Sequence, residues 1–509
     1  MNRSRVAHNT LLNFLALAVP LALAFFIMPI AARNLGPARF GLLGLAWAIT
    51  EYLTLFDLGL GRALVKFVAD ALHVDSPKLS EIVSLSMLAQ LLAGIIGGAA
   101  FFFGAPFLVN NVFHVAPDVS VEALGVFRVV GVSLPIILLT SAQRSVLEGA
   151  QRFDLSASLK MSGSVAALAL PAIGAVMGKS LPLILIWVLV ARVIVCVLYA
   201  WAIRRALPQH RWRSSRDWVL LRELVAFGGW VLVSNTVSPL LVYFDRFALT
   251  SIAGLAAAGF YTAPYEGVVR LLLIPVSVFG SLLPALTAIE ASGDDARFVR
   301  VTSSAERALA PLMAAPLAAI FVFAPEILHF WLGEQYALHS ATALRWLTVG
   351  VFANSLANPL FVTLYAKNRP DLPAKFHLAE LLIHVPITIF LIRRFGITGA
   401  AASWAMRVTL DMCLLWWAAA RTCAVPALAI IGGRTTRTVG AVAALIGGLT
   451  VSRILLNTSV VAAFTGVVVI AAAYAAWSWR GILSPTERVG LAGTIRSYLK
   501  LTPESRLVE

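Results

Sequence analysis

Eleven charged residues stand inside stretches that are otherwise apolar: Glu51, Arg128, Arg192, Asp245, Arg246, Glu266, Arg270, Glu380, Arg407, Asp411 and Arg453. A charge at bilayer depth costs about 2.5–3.5 kcal/mol on insertion scales, so each needs a partner, a watery cavity or a route to the surface. Several recur at helical spacing. Glu266, Arg270, Ser277 and Ser281 share one face, Ser234, Ser238 and Asp245 a second, and Ser403, Arg407 and Asp411 a third. Lipid offers such stripes no hydrogen-bond partners, so they face the interior of a bundle. Glu266–Arg270 and Arg407–Asp411 are four residues apart, which leaves two readings for each: a self-neutralising helical pair, or groups turned to a cavity. Arg128, Arg345 and Arg453 lie towards the outer ends of their spans, where long stems reach the interface. Glu380, with His377 and His384 on the same helix, reads as a local hydrogen-bonded cluster. Arg192 is mid-span with no carboxylate within a turn, and Glu51 sits near the middle of an apolar helix.

This chemistry is binding chemistry, not catalysis. Ala172 to Ser180 imitates a phosphate loop, but its first glycine would fall at position 173, which is isoleucine. Eight histidines are scattered without ligand spacing, so no metal is expected. Cys196, Cys413 and Cys423 form no CxxC pair and read as packing residues, with neither disulfide nor zinc. No cofactor is expected.

The elements that must position these charges follow from composition. The chain has 509 residues, 60% hydrophobic and 13% charged. Apolar windows of membrane-crossing length recur along it, which predicts an all-α polytopic membrane protein. The spacing predicts about fourteen spans, near 11–32, 40–60, 82–104, 121–143, 157–178, 181–203, 223–248, 259–288, 308–330, 344–366, 376–392, 398–420, 438–456 and 459–479. The net charge of +15 comes from basic residues in short loops, not from a nucleic-acid module. With the amino terminus inside, 28 of the 40 Lys and Arg lie in inward segments and 5 in outward loops, so both termini are expected in the cytoplasm.

The longest inward loop, residues 204–222, carries six arginines and divides the chain. We expect an N-terminal lobe at 1–203, this basic linker, a C-terminal lobe at 223–420, two extra spans within 421–479 and a cytoplasmic tail at 480–509. Gly36 to Gly41 opens span 2 and Gly254 to Gly259 opens span 8 with the same five-residue step, a trace of a parallel pseudo-repeat of two six-helix lobes. The tail carries a capping-box pattern from Ser484 to Glu487 that is compatible with a short surface helix.

The stretch RNLGPARFGLLGL from Arg33, followed by FDLGLGRALVKFVAD up to Asp70, resembles the amino-terminal signature of bacterial polysaccharide flippases. These are lipid-linked oligosaccharide transporters of the multidrug/oligosaccharidyl-lipid/polysaccharide exporter superfamily. Tyr243-Phe244-Asp245-Arg246 with Gly259-Phe260-Tyr261, and Phe395-Gly396-Ile397-Thr398-Gly399-Ala400-Ala401, extend the resemblance to about residue 420. It implies movement of a polyprenyl-diphosphate-linked glycan across the cytoplasmic membrane by rocking of the two lobes, for O-antigen, capsule or exopolysaccharide synthesis. The partners it implies are that glycan, membrane lipids and polysaccharide assembly enzymes. A diphosphate needs cationic donors, and arginine supplies them in planar, often bidentate form. Expected substrate contacts are Arg270, Arg246, Arg192 and Arg128, with Glu266 holding Arg270 in place. Expected coupling or gating residues are Glu51, Asp57, Asp245 and Glu266.

Two other functions fit the residues less well. A cation-coupled drug antiporter of the same superfamily would want acidic residues to dominate its interior, against the arginine excess here. A membrane glycan polymerase or ligase would need catalytic groups on sizeable outward loops, and the longest, from Gly104 to Ser120, offers only His114 and Asp118. The topology is testable. Reporter fusions after Asp118 and Ala256 should read periplasmic, and fusions after Arg213 and Arg300 cytoplasmic; reversal at two of the four overturns the orientation.

Overall fold

The computed structural model describes residues 3–54, 60–73, 78–208, 218–426, 435–456 and 460–482. Among these the chain is helical almost throughout and contains no strand. The helices are α1 (Arg3–Thr54), α2 (Leu60–His73), α3 (Leu79–Phe107), α4 (Pro117–Gly149), α5 (Phe153–Val176), α6 (Leu181–Ala206) and α7 (Trp218–Val269). A 3₁₀ turn, Arg270–Leu272, leads into α8 (Leu273–Ser292); then come α9 (Asp295–Val322), α10 (Ala324–Leu332), α11 (Glu334–Ala366), α12 (Asp371–Thr422), α13 (Thr435–Leu456) and α14 (Val460–Trp477). Nine helical stretches among the described residues are long and apolar enough to cross a membrane. The join expected at Asn457 and the tail from position 483 lie outside the described residues.

Three helices, α1, α7 and α12, each run for 52 residues. A straight helix of that length would extend about 78 Å, against about 30 Å of hydrocarbon. Each is broken by one glycine at positive φ: Gly36 (73°), Gly254 (83°) and Gly396 (54°). A side chain at those angles clashes with its own backbone, so glycine is the residue that allows the break. The boundary expected between the spans at 376–392 and 398–420 is this third break. The imitation phosphate loop is a helix end: Gly178, at φ 65°, and Lys179 donate backbone N–H groups to Ala175 and Gly174 and close α5.

The chain forms two compact units. The first holds residues 1–267, 331–339 and 383–400; the second holds 268–330, 340–382 and 401–509. In the first, α2, α3, α4 and α6 bury Leu64, Val68, Val83, Met87, Val146, Leu147, Tyr199 and Ile203 together. Close packing there rests on small residues: a Cβ at Gly98 of α3 would sit 2.5 Å from the Gly131 carbonyl of α4. In the second unit, Leu282, Leu286 and Phe298 pack with Val362 of α11, and Leu360 and Leu364 with Leu415 and Ala418 of α12. Ala314 and Ala318 of α9 pack against Leu445 of α13 and Tyr474 of α14.

The two equivalent glycine steps meet inside the first unit. A Cβ on Gly41 would collide with the Leu255 carbonyl and lie 2.7 Å from the Gly259 nitrogen. A Cβ on Gly259 would collide with the Pro37 carbonyl and lie 3.0 Å from the Gly41 nitrogen. Pro37 stands to Gly259 as Leu255 stands to Gly41, each one residue past its helix break, so the contact is reciprocal in the manner of a two-fold axis. Backbone meets backbone, and neither side can yield. Gly41→Ala and Gly259→Ala should each destabilise by about 1–3 kcal/mol, as overpacked sites do. Gly280→Ala, with nothing within 4 Å of its Cβ, should be neutral. Thermal unfolding in detergent checks all three, and equal melting for the three would discard the close crossing.

Candidate functional site: a charged cavity in the first unit

Four helices each turn one polar stripe to a common space. The second half of α1 supplies Thr50, Glu51 and Thr54; α4 supplies Ile137, Thr140, Ser141 and Arg144; α5 supplies Lys160, Gly163 and Ser164; α6 supplies Arg192, Val195 and Tyr199. Steps of three, four and seven place each set on one helical face. The space they enclose is about 550 Å³, within the usual range for pockets that hold one drug-sized molecule. Its walls carry three cations, one carboxylate and several hydroxyls. Glu51 is exposed to it, Arg192 is half-buried, and Tyr199 is buried with its hydroxyl donating to the Ser156 carbonyl at 3.1 Å. Arg144 is 3.6 Å from Glu148, whose carboxylate also accepts from Ser156 Oγ at 3.1 Å.

The structure thus brings together two of the residues expected from sequence, Glu51 and Arg192. It adds Arg144 and Lys160, which sequence reasoning counted only as orienting charges of inward segments. Their signal was available: Thr140-Ser141 with Arg144, and Lys160 with Gly163-Ser164, repeat the polar-stripe spacing that singled out other helices.

A second polar group joins the two halves of α7. Asp245 is fully buried and accepts from the Tyr261 hydroxyl and, at 2.8 Å, from the Arg246 backbone N–H. The Arg246 guanidinium is buried 2.7 Å from Glu266 and lies 4.4 Å from the Tyr265 ring centroid and 5.7 Å from that of Tyr243. The motif around Asp245 and the motif around Tyr261 therefore touch, folded onto each other by the break at Gly254. Glu266 is ion-paired with Arg246. Arg270 itself opens the 3₁₀ turn, where the regular four-residue ladder of the helix stops.

Other expected positions fall elsewhere. Arg128 is exposed and stacks over Phe102 at 5.3 Å, away from the cavity lining. Asp57 lies outside the described residues. Arg407 pairs with Glu380 at 3.4 Å, and Asp411 faces His377 at 3.8 Å. Both contacts cross the Gly396 hairpin, where sequence spacing had allowed an in-helix Arg407–Asp411 pair. Arg453 is not left to reach for the interface; it is 2.7 Å from Glu326. No group of three or more metal-ligating side chains occurs among the described residues.

The nearly all-helical fold, with a charged cavity in its first unit, is one that solved membrane transporters share. Among solved structures it is similar to the lipid II flippase MurJ in an inward closed conformation (TM-score 0.70, 12% identity, 92% of this chain and 99% of that one). It is also similar to an inward-facing multidrug resistance MATE family transporter (TM-score 0.69, 14% identity, 81% and 98%). Residues 6–290 match the family described as polysaccharide biosynthesis protein, and the chain belongs to that family. A Shigella flexneri protein named "Putative O-antigen transporter" is 29% identical over 422 residues, 82% of this chain and 99% of that protein. A Bacillus subtilis protein named "Uncharacterized membrane protein EpsK" is 22% identical over 404 residues, 77% and 78% of the two chains.

The Arg246–Glu266 pair yields a stability test. Arg246→Ala should cost about 3–5 kcal/mol by breaking a buried ion pair, and Arg246→Met with Glu266→Gln should recover most of that loss. Melting of the purified variants in detergent measures both; a double variant no better than the single one excludes mutual neutralisation.

Proposed function

We propose that this chain is a flippase that carries polyprenyl-diphosphate-linked oligosaccharide repeat units from the inner to the outer leaflet of the cytoplasmic membrane. It would serve synthesis of surface polysaccharide such as O-antigen, capsule or exopolysaccharide. The charged cavity carries this reading: three cations and a set of hydroxyls around one carboxylate, in a chain of the polysaccharide biosynthesis family. The glycosylated diphosphate docks on Arg192, Lys160 and Arg144, and arginine offers it paired, charge-assisted donors. The hydroxyls of Thr50, Thr54, Thr140, Ser141 and Ser164 answer sugar hydroxyls, while the polyprenyl tail stays in lipid. Arg270 and Arg128 serve as further stations. Asp245 and Glu266 hold Arg246, and Asp57 gates with its neighbour Arg62. No bond is made or broken, so the protein is not an enzyme.

Fourteen spans, both termini in the cytoplasm and lobes at 1–203 and 223–420 complete the reading, with alternating access by rocking of the lobes. Assembly enzymes supply and consume the carried glycan. A drug antiporter is disfavoured by the same cavity, since three cations repel the cationic substrates such carriers take. Deleting the gene should leave complete lipid-linked repeat units on the inner leaflet; unpolymerised units on the outer leaflet would point to a polymerase instead. Complementation with Arg192→Ala should lower export about tenfold or more at normal membrane abundance, as the loss of a charged hydrogen bond of about 1.5–3 kcal/mol predicts. Arg192→Lys should retain part of it.

A further inference from the structure

We propose that Glu51 is a tethered stand-in for the substrate's phosphate, neutralising Arg192 when the carrier is empty and giving way when the diphosphate docks. The proposal rests on the flippase reading and assigns Glu51 its part in that cycle. Among the described residues that line the cavity Glu51 is the one carboxylate, and Arg192, Lys160 and Arg144 line it from the neighbouring helices. Glu266 is paired with Arg246. Among the described residues no basic nitrogen lies within the 4.0 Å of a direct ion pair with Glu51. The carboxylate stands on α1 and the cations on α4, α5 and α6, all lining one space of about 550 Å³.

A carrier that works by alternating access must close twice per cycle, once loaded and once empty. Closing expels water, and each cation then left unpaired in low dielectric costs several kcal/mol. In the loaded stroke the two phosphates of a diphosphate diester, one negative charge each, satisfy the cations. In the empty stroke Arg144 keeps Glu148, 3.6 Å away, while Arg192 and Lys160 have, among the described lining residues, the Glu51 carboxylate to answer them. The same group competes with the substrate. If Glu51 covers Arg192 in most empty carriers, apparent affinity falls by the uncovered fraction.

Binding and turnover should therefore separate. The probe is undecaprenyl diphosphate bearing one fluorescently labelled hexose, with protein in nanodiscs for binding and in proteoliposomes for flipping. Glu51→Gln, close in shape but uncharged, should bind the probe about tenfold more tightly if about one carrier in ten is uncovered in wild type. It should keep the first outward transfer within about twofold and slow repeated turnover by about tenfold or more. Glu51→Asp keeps the charge and should fall between Gln and wild type in both measures. Glu51→Gln binding that is unchanged or weaker overturns the proposal, as does unimpaired repeated turnover or Glu51→Asp behaving as Glu51→Gln. A loss of folded Glu51→Gln, with Glu51→Asp stable but indistinguishable from wild type in binding and turnover, overturns it too. Failure of the wild-type protein to bind or flip the probe would instead sink the flippase reading.

Discussion

Hydrocarbon cannot hydrogen-bond, and nearly everything in this chain follows from that. Backbone groups are satisfied within helices because a membrane core leaves them no other partner. Charges are subject to the same demand, and the structure meets it in two ways. Some are cancelled locally, as Arg246 is by Glu266, Arg407 by Glu380 and Arg453 by Glu326. Others are turned to a space large enough for water, as Glu51, Arg192, Lys160 and Arg144 are. Charges of the first kind hold helices together. The second kind stay available for a ligand, and in this chain they are mostly cationic.

Apolar driving force cannot hold helices together in lipid, because tails are as apolar as leucine. Close approach takes its place. Gly98 against Gly131, and the reciprocal crossing of Gly41 with Gly259, let backbones touch where any side chain would push them apart. Glycine also breaks the three 52-residue helices. One residue type therefore serves two purposes: at positive φ it reverses the chain, and five residues later it permits the contact that the reversal brings about. That economy is visible in both copies of the step, at Gly36–Gly41 and Gly254–Gly259.

Charge balance distinguishes the functional classes this fold can serve. A bundle of this kind can be lined for cations or for anions, because most of its polar lining residues lie outside the apolar core cluster. Here Thr140, Ser141 and Arg144 of α4 and Lys160 and Ser164 of α5 occupy one face, while Val146, Leu147 and their neighbours pack behind. The described lining, with three cations among hydroxyls, favours an anion.

Much of this was legible in the residues themselves. Membrane class, the helical breaks near Gly36, Gly254 and Gly396, and the need for Glu51 and Arg192 to meet polar surroundings all follow from local rules: length of apolar run, backbone freedom of glycine, cost of a buried charge. Which charge answers which was not legible. Sequence spacing offered Arg407 to Asp411, because neighbours on one helix are all that a linear pattern can see. The hairpin at Gly396 instead brings Glu380 to Arg407, and the one at Gly254 brings Arg246 to Glu266. Lys160 and Arg144 looked like ordinary positive-inside residues until four helices packed and left a space between them. Helix formation is decided within a few residues, whereas pairing and cavities are decided by how helices far apart in sequence pack, and that only the tertiary structure determines.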